Sequence, residues 1–550
     1  MSNKTLLIHP SDNIEVALTN LYKDETVKGA DKEITLKENV TAKHKFAITD
    51  IPEGGDIIMY GVLVGKAVKF IPQGGLISTS NIKHASNSYK LGERKTAWHK
   101  PDVTKWKDRT FMGFHRQDGS VGTTNNWLVI PLVFCENKNV STLEEAFMKA
   151  LGYKPKQSPY QSFVQKLVSM HQSSNKEDIM AAEFVMEVEE EKPNKIFPNI
   201  DGIKFLNHTL GCGGTRADAQ ALCGLLAGYI THSNTAGATI LSLGCQNAQV
   251  ATLMDEIKKR DSNFSKPFYI LEQQKIGNEQ KMLEEAIKKT FTGLMIANEN
   301  VRMPAPINKL CIGLECGGSD GFSGISANPA IGYTSDILVE LGGSVILSEF
   351  PELCGVEQEL SDRCTDEATA NRFMDLMNTY NARAESLGSG FYANPSPGNI
   401  KDGLITDAIK SAGAAKKGGS SPVTDVLDYP EKVTKPGLNL LCTPGSDVES
   451  TTAEVGSGAN IVLFTTGLGT PTGNPITPVL KLSTNTPLYE KMKDIIDIDT
   501  GDIIAGKETI PQAGERILEY IIKVASGEVK AKADAQKHDD FIPWKRGISL

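Results

Sequence analysis

Six times in this chain a short apolar run stops at a chemically capable side chain, five of them with glycine in the turn that follows. Residues 203–206 run into Asn207, His208 and the turn Gly211-Cys212-Gly213-Gly214. Residues 238–243 end at Gly244, Cys245, Gln246 and Asn247, and residues 310–314 at Glu315, Cys316, Gly317, Gly318, Ser319 and Asp320. Residues 345–347 lead to Ser348, Glu349 and Glu352. Residues 438–442 lead to Thr443, Pro444, Gly445, Ser446 and Asp447, and residues 461–464 to Thr465, Thr466, Gly467 and Gly469. Longer stretches of helical period separate these runs, which is the rhythm of βαβ units around a mostly parallel sheet. Ligands of such sheets bind outside the carboxyl ends of the strands, where glycine lets the backbone approach them. The pattern predicts an α/β enzyme or small-molecule binder.

Before this region the texture differs. Residues 1–86 alternate short apolar pieces with Gly and Pro turns and read as a small β-rich unit. Residues 87–108 are polar and read as a linker. The α/β region divides at residues 109–305 and 306–550, with a polar insertion at 154–195 that is partly helical; its acidic run 187–191 reads as a solvated face. The 550 residues carry 58 Lys and Arg against 67 Asp and Glu, a net charge of −9, which argues against nonspecific nucleic-acid binding. The apolar run 127–134 is far short of the roughly 20 residues that span a bilayer. The first residues show no signal-peptide pattern, so a cytoplasmic location is expected.

Nucleotide-binding signatures are absent: no Gly-x-x-x-x-Gly-Lys-Ser/Thr, and no Gly-x-Gly-x-x-Gly after a strand with a suitably placed acid. Nine cysteines make a poor disulfide framework. Cys135, Cys212, Cys245 and Cys316 all lie at or just past strand-like runs, so neighbouring strands would bring their thiols to one rim as ligands for iron or zinc. His208, four residues before Cys212, is a candidate ligand or base. The competing reading makes each cysteine a small buried thiol. Asp320 and Glu349 are candidate acid/base groups, or helix caps. His9, His84, His99, His171, His232 and His538 are given no chemistry.

The most specific stretches are Gly313-Leu-Glu-Cys-Gly-Gly-Ser-Asp320-Gly-Phe-Ser-Gly-Ile-Ser-Ala-Asn-Pro329 and Arg116-Gln-Asp118-Gly119-Ser-Val-Gly122-Thr123. With them go Asn207-His208 and Gly211-Cys212, Gly244-Cys245, Asn394-Pro-Ser-Pro-Gly-Asn399 and Phe464-Thr-Thr-Gly-Leu-Gly-Thr-Pro471. In these motifs the chain resembles the altronate/galactarate dehydratase family over nearly its whole length. Its first 85 or so residues are similar to that family's SAF (β-clip) domain. The stretch from Asn126 through Cys135 is nearer the altronate branch. Two departures stand out: Ser78-Thr79-Ser80-Asn81 replaces a His-x-His-Asn motif, and Thr124 stands where a basic residue often precedes the asparagine.

The resemblance implies dehydration of D-altronate to 2-keto-3-deoxy-D-gluconate in hexuronate catabolism, with ferrous iron as cofactor and manganese as an alternative; an iron–sulfur cluster on the four strand-end cysteines is the rival reading. On that chemistry His208, Cys212 and Cys316 are expected near the metal, with Cys135 and Cys245 as further candidates. His208, Asp320 and Glu349 would serve the proton transfers. Arg116, Asn125, Ser319, Asn394, Ser396 and Asn399 would hold the substrate. The expected partner is a small sugar acid, with no nucleic acid or membrane; a homo-oligomer is left open. Competing readings are a galactarate dehydratase, a lyase acting on a 2-hydroxy sulfonate, and a non-catalytic sugar-acid sensor.

Overall fold

The computed structural model describes residues 4–29, 32–86, 89–154, 158–184 and 194–550; the acidic run 187–191 lies outside them. The N-terminal unit is antiparallel throughout. Strands Thr5–Leu6, Ile14–Ala17, Lys45–Ala47 and Leu76–Ile77 form one sheet, Asp56–Met59, Val62–Ala67 and Ile82–Lys83 a second, and Thr26–Lys28 with Glu33–Thr35 a hairpin. Strands this short have little surface of their own to bury. Some of them close a small core of their own around Leu21, Leu36 and Phe46; others share a core with the C-terminal unit, where Ile14, Tyr60 and Val64 pack in the same cluster as Phe322, Ile325 and Ala412.

The described part of the stretch read as a linker is held against the C-terminal unit. Lys95 N donates to Asp362 O at 2.5 Å, and Trp106 is fully buried. The segment is thus an ordered strap, because a buried indole ties its polar surroundings down.

Parallel strands Gly202–Phe205, Asn126–Pro131, Thr235–Ser242 and Phe268–Glu272 lie in that spatial order and form the middle unit's sheet. Every residue of Asn126–Pro131 and Thr235–Ser242 is buried, as a strand covered on both faces requires. The insertion contributes helices Pro159–His171 and Lys176–Met180, each started by a capping box and neither burying a described residue. Strand Arg302–Pro306 returns to pair antiparallel with Thr110–His115.

The C-terminal unit is a seven-stranded parallel sheet in the order Val423–Leu427, Gly437–Leu441, Ser344–Leu347, Cys311–Cys316, Ile461–Thr466, Val479–Ser483 and Ile498–Asp499. From Cys311–Cys316 the chain winds toward one edge, and from Ile461–Thr466 toward the other. The carboxyl ends of those two central strands therefore flank a topological switch point, where doubly wound sheets leave a crevice. Among the described residues no helix is long and apolar enough to cross a membrane.

A candidate active site at the rim of the seven-stranded sheet

Immediately after strand Ser344–Leu347 the backbone turns sharply: Glu349 sits in the left-handed region, φ 62° and ψ 57°. A residue with a side chain is rarely found there, and such strain marks functional sites more often than frameworks. Thr443 Oγ1 accepts the Glu349 N–H at 2.8 Å and holds the turn. The turn aims Glu349 inward and starts the 3-10 segment Phe350–Leu353, which brings Glu352 beside it.

Two lysines meet these acids. Lys417 Nζ lies 2.6 Å from Glu349 Oε2, and both side chains are about 1% exposed. Lys410 Nζ lies 2.5 Å from Glu352 Oε1 and donates to Asn394 Oδ1 at 2.8 Å. Asn394 Nδ2 in turn donates to Glu352 Oε1 at 3.2 Å. Lys410 stands on helix Asp407–Ala415 and Lys417 on the 3-10 turn that continues it, two helical turns further along one face. Cys316, the last residue of its strand, completes the group with Sγ 3.2 Å from Glu352 Oε2 and 3.5 Å from Glu349 Oε2. Asp447 packs against the loop that follows: a Cβ on Gly317 would lie 2.1 Å from its Oδ2, so a larger residue there would displace this acid.

Deeper in the sheet lie Glu315 and Glu454. Ser348 Oγ and Leu314 N donate to Glu454 Oε1 at 2.8 and 3.0 Å. Five carboxyls and a thiol thus face two ammonium groups, and the shortage of positive charge is met by retained protons. Burial, then the charges of Glu349 and Glu454, hold the Glu315 carboxyl far above its usual range. Burial and the same neighbourhood of acids push Asp447 up to about 7 and Glu454 up to about 8. Burial, then Glu349 and Glu352, also raise the Cys316 thiol. Glu352 goes the other way: burial acts to raise it, but the Lys410 and Lys417 ammoniums outweigh burial and keep it ionised. Lys410 and Lys417 are correspondingly held as cations, their carboxylate neighbours outweighing burial.

Beside this cluster, at the switch point, Asp320 is wholly buried. Its Oδ1 accepts from Phe322 N and Ser323 Oγ, and its Oδ2 from Thr484 Oγ1 at 3.1 Å. Its cation comes from the N-terminal unit: Lys43 Nζ lies 2.9 Å from Oδ2 and 3.1 Å from Asp402 Oδ1. Asn399 Nδ2 donates to Ser319 O at 2.8 Å, and Ser396 caps the turn carrying Asn399. Of the expected residues Asn394 thus touches the Glu352–Lys410 pair, while Ser319 and Asp320 lie on the loop after Cys316, with Asn399 and its cap Ser396 packed on that loop.

The other expected residues lie elsewhere. His208 is buried with both ring nitrogens engaged: Nε2–H donates to Pro131 O at 2.7 Å and Nδ1 accepts Leu210 N–H at 3.1 Å. No lone pair is left for a metal or a proton, and burial pushes the ring down to about 4. Cys135, Cys212 and Cys245 are exposed on loops after adjacent strands of the middle unit. Those loops are stitched together by Phe134 N to Leu210 O and Asn247 Nδ2 to Cys212 O. This rim belongs to the four-stranded sheet, whereas Cys316 ends a strand of the other. The expectation of one rim for all four thiols is corrected on that point, because the sheets are separate. Arg116 and Asn125 are also corrected. Asn125 precedes strand Asn126–Pro131 and so lies at the amino end of the sheet, away from any strand-end site. Arg116 Nη2 donates to Asn125 Oδ1 at 2.9 Å and Nε to Ser233 O at 2.7 Å, which makes the pair a buried brace.

For a divalent ion the donor set is Cys316, Glu349 and Glu352, whose ligand atoms lie within 4.8 Å of one another. Glu349 Oε1 is buried with the Glu315 carboxyl as its neighbour, and acids outnumber cations, so a cation fits here. Lys410, Lys417, Glu454 and Lys43 were not singled out from the sequence. Lysines on helices are ordinarily solvated, and only their burial distinguishes these.

A doubly wound sheet whose switch-point rim buries ionised and protonated acids side by side defines an α/β enzyme of acid–base chemistry. Residues 3–85 match the altronate/galactarate dehydratase SAF domain. Residues 113–298 match the D-galactarate dehydratase/altronate hydrolase second domain, and residues 307–549 the D-galactarate/altronate dehydratase C-terminal domain. The chain is 32% identical to an altronate dehydratase of Escherichia coli (strain K12), over 99% of both chains. It is 32% identical to one of Bacillus subtilis (strain 168), over 99% of each. It is also 30% identical to a galactarate dehydratase (L-threo-forming) of Escherichia coli (strain K12), over 96% of this chain and 94% of the other. The chain belongs to the altronate/galactarate dehydratase family.

Proposed function

We propose that the chain is a hydro-lyase that dehydrates D-altronate to 2-keto-3-deoxy-D-gluconate, working in the cytoplasm. The observation that carries the reading is the end-to-end match to two altronate dehydratases. The chemistry demands a base for the proton at C2, an acid for the departing C3 hydroxyl, and positive charge for the dianion formed when C2 is deprotonated. Ionised Glu352 serves as base, and Asp447, protonated near neutrality, as acid. Two neighbouring carboxyls whose environments drive them apart divide such roles. Lys410, about 9% exposed and the more open of the two lysines, receives the substrate carboxylate, with Asn394 oriented beside it. Lys417, paired with Glu349, opposes the burial and the Glu352 charge that raise that carboxyl, and fixes positive charge under the site.

Ferrous iron is the proposed cofactor, held by Cys316 and Glu349, which leaves Glu352 free to act as the base. When bound it would act as a Lewis acid toward the substrate carboxylate and its neighbouring hydroxyl.

The test is an anaerobic assay of D-altronate beside galactarate, with ferrous iron and a thiol, read as 2-keto-3-deoxy acid. Fast turnover of altronate, weak turnover of galactarate and loss on chelation are expected. Preference for galactarate would overturn the substrate assignment and leave the chemistry standing; turnover of neither would overturn both.

A further inference from the structure

A second group of metal-ligating side chains gathers where the N-terminal unit meets the C-terminal one. His84 follows strand Ile82–Lys83 of the SAF domain, and its Nδ1 contacts Asp407 Oδ1. Asp407 opens helix Asp407–Ala415, and Cys354 closes the 3-10 segment Phe350–Leu353. One ring nitrogen, one thiol sulfur and one carboxylate oxygen from these three residues lie within 4.8 Å of one another. Glu357 joins them: its carboxylate accepts from the Cys354 thiol and from Gly355 N at 2.7 Å. The four side chains line a cavity of about 250 Å³ with Met374 and Met377.

A nitrogen, a sulfur and two carboxylates are the donors of a borderline divalent ion. Calcium and magnesium prefer oxygen alone, whereas zinc takes His, Cys and carboxylate ligands together in a closed tetrahedral site. Two carboxylates and a potential thiolate face one imidazole, so a dication would neutralise the excess negative charge. The donors come from three segments of two units, and each C-terminal ligand is tied to the active site. Cys354 stands two residues after Glu352 on one segment, and Asp407 one helical turn before Lys410 on another. An ion here would fix both elements of the Glu352–Lys410 pair relative to the SAF domain.

We propose that His84, Cys354, Asp407 and Glu357 form a zinc site that clamps the SAF domain to the catalytic unit, separate from the Cys316 cluster. The inference does not depend on the dehydratase reading.

It is tested on the full-length Cys316→Ser protein, which lacks the thiolate of the catalytic cluster, stripped of metal and titrated with Co²⁺ and then Zn²⁺. This protein is expected to develop the thiolate-to-cobalt charge-transfer band and intense visible bands of tetrahedral cobalt, displaced by one equivalent of zinc. Adding His84→Ala or Cys354→Ser should remove those bands and weaken zinc binding at least about a hundredfold. His84 is a third exposed, so its variant reports even where Cys354→Ser does not fold. Zinc should raise the unfolding temperature of the Cys316→Ser protein and not of the variant that also carries His84→Ala. Bands that survive both additions, or no bands in the Cys316→Ser protein, would overturn the proposal.

Discussion

Glu349 and Lys417 are each about 1% exposed, the most buried ion pair among the described residues. Removing one partner leaves the other charge uncompensated in the interior, at a cost of about 3–5 kcal/mol. Lys417→Met should therefore lower stability by that order in a denaturant titration. Lys417→Met with Glu349→Gln should recover much of the stability while remaining inactive. Equal stability of the single and double variants would show that the pair is not coupled. The pH profile turns on Asp447. Burial, with Glu349 and Glu352 behind it, raises this acid to about 7, so it holds its proton below that pH and loses it above. kcat should fall as pH rises through about 7, and Asp447→Asn should remove that alkaline limb along with about 100- to 10,000-fold of the rate. The limb's persistence in the variant would assign the acid elsewhere. Cys316, Glu349 and Asp320 were legible in the sequence because each follows an apolar run at a strand end. Lys410 and Lys417 were not, since their partners lie about 60 residues away in sequence.

At the scale of elements, two buried histidines act as splints. His208 joins the end of strand Asn126–Pro131 to the loop at Leu210. His232, just past helix Arg216–Thr231, donates to Ala459 O at 3.1 Å and accepts Asn234 N–H at 3.0 Å. Each needs the neutral ring, because protonation would remove the acceptor and orphan a backbone N–H. Burial depresses them to about 4 and about 3 in the folded protein. The unfolded chain binds their protons from about pH 6.5 downward, so stability is complete above that pH. It is lost as pH falls toward the folded values, at about 1.4 kcal/mol per pH unit for each ring. Unfolding midpoints measured from about pH 8 to 5 should show this loss, and the two ring-proton NMR signals should stay unshifted over the same range. A ring that titrates near its ordinary value would refute the splint. His208 was misread for a physical reason: a strand-end position before glycine looks the same whether its ring faces a crevice or the backbone.

Over the whole molecule, the N-terminal unit completes the site as well as preceding it. Lys43 reaches Asp320, and Lys45 donates to Gly403 O at 2.6 Å from a fully buried position. Lys43→Met would leave a buried carboxylate without its cation at the join of two units. Easier unfolding, faster proteolysis between the SAF domain and the remainder, and reduced kcat/KM are expected together. Unchanged proteolysis alongside unchanged turnover would make the contact incidental.

Local alternation of apolar runs with helical stretches was enough to determine an α/β chain with a β-rich unit in front, because periodicity reflects which faces each segment must bury. The same locality placed the chemistry at strand ends. Which strand ends share a rim was decided only by strand order, which depends on packing between segments far apart in sequence. That order put Cys316 with Glu349, Glu352 and two lysines and left Cys135, Cys212 and Cys245 on a different sheet. It also turned Arg116 and Asn125 into a brace at the sheet's amino end. Burial, a property of the assembled molecule, then set which of the gathered acids keep their protons.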